Sequence, residues 1–380
     1  MSIIILLAIL NGTVNQPEIK LIGKVSISGY ASDLSGIKNL LEDKSPSDRL
    51  GGFGSAIAYT GIGNNYIMLP DRGPGDGANS YLCRFHLVEI IPTKSDTLSF
   101  KVLKTTFLKN SDGSFFNGSS KAFTANNRLD PEGIRVFKDG SLLISDEYGP
   151  SVLKFDSQGK LKQKFQIPDK FLIQNLSSEA EKEFPPFNLK GRVTNKGFEG
   201  LALAKDEKKW LAAIQAPLIQ DRESLDSGIN CRFLEMSIEG KPLRELVYVL
   251  DNHKNGVSEI LALGDEDYLV IERDSEGGEM AGFKKIFRIH TGKASDVSKF
   301  SKLPSTKLNK DTVPVNKTLF FDLLSPEFGF KGKDFPAKIE GITFGPDLPD
   351  GKKLLLISSD NDFKPDAPSW IYAFSVKVKD

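Results

Sequence analysis

The feature that most limits what this chain can fold into is a recurrent unit of short apolar runs separated by Gly, Asn, Asp and Pro turns. Each first run opens on a polar anchor, and the anchors Ser55, Glu132, Glu199, Glu259 and Glu340 stand 77, 67, 60 and 81 residues apart. A repeat of this length made only of strands predicts a β-propeller, because each sheet has two faces to bury and stacks around an axis between its neighbours. The runs fall at residues 53–59, 66–69, 81–88 and 98–107, then 129–155 with 161–167, then 197–203, 210–215, 231–238 and 245–250. A fourth set lies at 257–263, 268–274, 285–290 and 319–323, and a fifth at 339–344, 353–358 and 370–376. The expected fold is therefore all-β, with four-stranded blades, five in number, or six if an insertion hides one. The fifth set is one strand short. An unassigned run at 19–25 supplies it, closing the ring through the opposite terminus and removing two exposed sheet edges. Only 177–183 carries any helical pattern.

The 34 Gly and 20 Pro fit a turn-rich chain, and 39% apolar residues can furnish a sizeable core for residues 17–380 as one propeller. Fifty basic side chains balance fifty acidic ones, so no global field draws the protein to nucleic acid or to an anionic membrane. A monomer with a small anionic ligand is expected. The apolar run at 3–10 is too short to span a bilayer and resembles the core of a secretory signal, so residues 1–16 read as a signal remnant and the protein as secreted or periplasmic. Cys83 and Cys231 fall on third strands of non-adjacent blades, beyond the roughly 7 Å Cα separation that a disulfide needs.

Residues 129–155 show where chemistry gathers. Ile134 and Val136 alternate on one strand, Leu142 and Ile144 on the next, and Lys138-Asp139-Gly140 turns between them. A turn centred near Asp139 sets Glu132 opposite Asp146, with Glu147 beside it. Two carboxylates about 5 Å apart at an effective dielectric near 20 repel by about 3 kcal/mol, so such a cluster calls for a cation, a raised pKa or a basic partner. In a propeller the first strand starts and the second ends at one mouth of the channel. The same places hold Asp71 and Arg72, Glu199, Glu259, Glu272 and Arg273, Glu340 and Asp360. Packing does not require glutamate at four blades. Asp71, Glu132, Asp146, Glu199, Glu259, Glu272, Glu340 and Asp360 are thus candidate ligands of a hard cation, Ca²⁺ first and Mg²⁺ second, with Glu132, Asp146 and Glu147 the candidate catalytic groups. Arg72, Arg128, Lys196 and Arg273 would bind an anionic substrate.

Asp71-Arg72-Gly73-Pro74, Asp130-Pro131-Glu132-Gly133-Ile134, Ser145-Asp146-Glu147-Tyr148-Gly149-Pro150-Ser151, Asn195-Lys196-Gly197-Phe198-Glu199-Gly200-Leu201 and Ile339-Glu340-Gly341 resemble the phytase-like family described as having esterase-like activity of phytase. The resemblance covers residues 51–376 and implies a secreted or periplasmic propeller related to calcium-dependent phytases that hydrolyse phosphate esters. The expected activity is Ca²⁺-dependent phosphate-ester hydrolysis. A propeller lactonase or esterase with one catalytic Ca²⁺, and a non-enzymatic ligand-binding propeller, remain alternatives, as do plain capping or ion-pairing roles for each carboxylate. Ser55 lacks a Gly-x-Ser-x-Gly elbow, and His86 and His290 sit inside third strands as structural residues, which leaves His253 as a minor acid-base candidate.

Overall fold

A computed structural model describes residues 18–121 and 127–377, so the expected signal segment lies outside the described residues. Five separate four-stranded antiparallel sheets form, each in simple meander order except the last. Blade one is β2 (Ala56–Tyr59), β3 (Asn65–Leu69), β4 (Arg84–Pro92) and β5 (Leu98–Phe107), and blade two is β6 (Pro131–Val136), β7 (Leu142–Asp146), β8 (Ser151–Phe155) and β9 (Leu161–Lys164). Blade three comprises β10 (Phe198–Leu203), β11 (Lys209–Ile214), β12 (Asn230–Ser237) and β13 (Pro242–Val249). Blade four comprises β14 (Gly256–Ala262), β15 (Asp267–Arg273), β16 (Lys284–His290) and β17 (Asn316–Asp322). Blade five holds β18 (Lys338–Asp347), β19 (Lys353–Asp360) and β20 (Ser369–Lys377), and β1 (Glu18–Ile27) completes it by pairing antiparallel with β20. The ring is thus closed by the N-terminal strand, as the strand count required. The helical pattern at 177–183 condenses to a 3₁₀ turn, Ala180–Glu183.

Successive residues of the inner strands enter different cores. Ile67 and Leu69 pack with Ile134 and Ile144 between blades one and two, while Tyr66 and Met68 pack with Leu354 and Ile371 between blades five and one. A strand covered on both faces reads as a nearly continuous apolar run, and every residue of β7 is buried. Both cysteines are buried and free.

The inner hairpins depart from the register that an ideal turn would set. Pro131, not Glu132, lies opposite Asp146, and Gly133 lies opposite Ser145, so Glu132 occupies a β-bulge between them. Bulges recur at Glu199, Ser258 and Glu340. A bulge inserts one unpaired residue and bends its strand, which here turns the extra side chain toward the axis at the mouth of the ring. The residue after the bulge is Gly133 in blade two and Gly200 in blade three, where a Cβ would come within 2.6 Å of Glu199 O and 2.9 Å of Ile260 N of the next blade. At these two contacts the inner strands come this close because that position is bare.

Candidate functional site

The pairing registers define which positions reach the mouth. On the first strands they are Ser55 and the bulge residues Glu132, Glu199, Ser258 and Glu340; on the second strands they are Asp71, Glu147, Gln215, Arg273 and Asp360, one residue beyond the positions opposite Pro131, Phe198, Val257 and Ile339. Glu132, Glu147, Glu199, Gln215, Arg273, Glu340, Asp71, Arg72 and Lys196 line one cavity of about 240 Å³. Most of the predicted site is brought together there.

Four predicted ligands do not line it: Asp360 lines a neighbouring cavity of about 500 Å³, and Asp146, Glu272 and Glu259 each miss by one residue of strand alternation. Asp146 faces away from the mouth, where its carboxylate accepts hydrogen bonds from the Asp130, Tyr148 and Gly149 N–H groups and from Ser151 Oγ, at 2.8–3.2 Å. Glu272 is likewise saturated, accepting from Tyr248 Oη, Asp251 N–H, Asn255 Nδ2 and Lys317 Nζ at 2.6–2.8 Å. Glu259 is not the blade-four counterpart of Glu132. Ser258 is in the bulge, and Glu259 stands where blades two and three carry glycine. It is fully buried and paired with Arg135 at 3.0 Å. Ser55 donates its hydroxyl to Gly52 O and His253 is exposed, so neither sits as a reactive group in the cavity. Arg128 lies in a neighbouring cavity, over the Tyr148 ring at 3.7 Å.

Sequence reading missed Asp130 and Lys338. Asp130, Glu132 and Glu147 present carboxylate oxygens all within 4.8 Å of one another, and so do Asp71, Asp360 and Asp362. The signal for Asp130 was available in the register, since it pairs across the hairpin with Glu147, whose N–H donates to Asp130 O. Arg72 reaches from blade one to Asp130 at 2.5 Å and Glu147 at 3.5 Å. Lys338 pairs with Asp360 at 3.1 Å and also with Asp362. Arg273 meets Glu340 at 2.5 Å, and Gln215 donates to Glu199. Glu132 differs from all of these. It is 8% exposed, lines the cavity, and has no hydrogen-bond or ion-pair partner among the described residues.

Burial, reinforced by the neighbouring carboxylates, pushes Glu132, Glu199 and Asp71 well above the usual carboxyl range. Glu147 and Asp360 are raised to about 7, again first by burial, against the pull of Arg72 and Lys338. Each of these groups holds its proton more tightly folded than unfolded, where carboxyls titrate near ~4. Their stabilising contribution is complete below that pH and is lost as pH rises through about 7. In chelator, the melting temperature is therefore expected to fall between about pH 4.5 and 8. Scanning fluorimetry across that range checks it; a higher melting point at the alkaline end would contradict the burial of these carboxylates.

The chain is 28% identical to an uncharacterized secreted protein of Arthroderma benhamiae over 62% of its own length and 61% of the relative's. The chain thus spans about three fifths of that relative. Solved structures similar in outline include a gluconolactonase from Xanthomonas campestris (11% identity, TM-score 0.39, 96% of each chain) and an α-L-arabinofuranosidase from Lactobacillus brevis (10% identity, TM-score 0.41, 83% of this chain and 89% of the other). At such scores they carry no argument about chemistry. Among the described residues no helix is long and apolar enough to cross a membrane. Residues 48–363, which include every carboxylate of the mouth, match the phytase-like family described by an esterase-like activity of phytase, and the chain belongs to that family.

Proposed function

We propose that this propeller is a calcium-dependent hydrolase of small anionic esters, phosphate monoesters first, acting at the mouth of the channel. The observation that carries the reading is Glu132: a buried, unpartnered carboxylate facing a cavity and crowded by Asp130 and Glu147. Such a group is costly empty, and a hard divalent cation with oxygen ligands relieves it. Asp130, Glu132 and Glu147 fit that ion by donor chemistry and spacing. Bound calcium would supply charge neutralisation at the ester oxygens and a more acidic water.

The chain's own groups do the rest. Among the described residues Lys196 lines the cavity without an ion pair, unlike Arg72 and Arg273, and so has its ammonium available to the substrate's anion. Burial and the nearby Arg222 pull its pKa down, which an incoming anion would reverse. Glu199, in the same cavity with its carboxyl held neutral by burial, would protonate the leaving oxygen, while a carboxylate of the Asp130, Glu132 and Glu147 group takes the proton of the attacking water. The Arg128 cavity adjoins the mouth through Arg72 and Asn195 and would take the rest of a larger substrate.

Turnover of p-nitrophenyl phosphate and of a simple lactone, each in millimolar Ca²⁺ and in chelator, tests this. Calcium-dependent phosphate release is the expected result. Lactone turnover alone would move the protein to the lactonase reading, and calcium binding without turnover of either would leave a ligand-binding propeller.

A further inference from the structure

Among the described residues the mouth contains two acidic groups of three, which adjoin through Asp71 and Arg72, and the fold makes them counterparts. In blade two the facing positions at the strand ends are Asp130 and Glu147; in blade five the same register brings Lys338 opposite Asp360. Where blade two has two acids, blade five has a base and an acid. We propose that Lys338 is a resident cation of the mouth, its ammonium seated among Asp71, Asp360 and Asp362 in place of a divalent ion, so that the chain takes calcium at the blade-two group alone. This rests on the calcium reading above.

Four observations support it. The ammonium is already in the acidic group, 3.1 Å from Asp360 Oδ2 and paired with Asp362. The turn that delivers Asp362 is fixed: Asp362 and Phe363 both take left-handed backbone (φ 52° and 54°), and the Phe363 ring packs on Gly51, Gly52 and, at 5.0 Å between centroids, on Tyr81. Left-handed conformations at two consecutive non-glycine residues persist only when the surroundings hold them. Lys338 also lines both the central cavity and a neighbouring one of about 500 Å³, so it forms the wall between them. In the blade-two group, Arg72 reaches Asp130 and Glu147 but not Glu132. The planar guanidinium is anchored by Asp76 as well, at 3.0 Å, and the third carboxylate of that group stays unpaired. A compact ammonium can sit between carboxylates as an ion does; a guanidinium that is bonded along one edge cannot.

Calorimetric titration with CaCl₂ counts the sites in the wild-type chain and in Lys338→Met. One site is expected in wild type and two in Lys338→Met, where three carboxylates lose their ammonium. Two sites in wild type, or no added site in Lys338→Met, would overturn the proposal. A wild type that binds no calcium would defeat the hydrolase reading instead, and Lys338→Met would still decide this one, by gaining a site or not. If Lys338→Met folds only when calcium is present, that too supports the exchange of ammonium for ion; failure to fold in Lys338→Met and Lys338→Gln even with calcium would sink it.

Discussion

Glu132→Gln is expected to abolish calcium binding and to slow ester hydrolysis by about a hundredfold or more, while the protein in chelator melts at the same temperature as wild type or a few degrees higher. The reason is the imbalance around Glu132. Burial first, and then Glu199, Asp130, Glu147 and Asp71 around it, keep its proton on, and among the described residues no donor compensates. The amide stays neutral where the carboxyl would ionise as pH rises, so the change removes that repulsion from the empty site and deletes no core volume. Asp146→Asn, one strand position away, is expected to do the opposite. Its carboxylate satisfies three backbone N–H groups and the Ser151 hydroxyl, so the change should lower stability by about 1–3 kcal/mol and leave calcium binding in place. Melting curves in chelator and calcium titrations on both variants make the comparison. A destabilised Glu132→Gln that still binds calcium would remove the metal site.

The largest loss of stability is expected at the axis below the mouth. The Arg135 guanidinium donates to the carbonyls of Ile57, Ile134 and Ile260, and Glu259 accepts from the N–H groups of Leu201 and Ile260. This one ion pair therefore ties the innermost strands of blades one to four. Glu259→Leu leaves a buried guanidinium without its counter-charge and should cost about 3–5 kcal/mol, whereas the double variant Arg135→Leu with Glu259→Leu should recover most of that, because a buried pair is worth far less than either charge alone costs. Calcium binding should survive in the folded fraction. Urea unfolding of the two single variants and the double variant measures the coupling; a single variant as stable as wild type would mean that the pair does not pin the ring.

The architecture was legible in the sequence because its determinants are local. Turn residues at regular intervals, runs of strand length and a spare N-terminal strand leave a closed ring as the arrangement that buries both faces of every sheet. The pairing of β1 with β20 followed from that count. The candidate site was legible in outline, since Glu132, Glu199 and Glu340 open their strands with the same Glu-Gly step.

Which acids face the cavity was decided only by tertiary structure. A bulge shifts the pairing by one residue, and with a side-chain period of two that shift exchanges a mouth position for a buried one: Glu147 for Asp146, Arg273 for Glu272, Ser258 for Glu259. Blade four shows why the sequence could not settle it. Ser258-Glu259-Ile260 reads as a shifted Glu-Gly-Ile, and only the register shows that its glutamate stands at the glycine position, with Arg135 of another blade to receive it. The meeting of Lys338 with Asp362, and of Arg72 with Asp130 across 58 residues of chain, likewise depends on how the blades stack around the axis. Residue types and their periodicity specify the strands and the ring; the bulges and the contacts between blades assign each charge either to the cavity or to the frame.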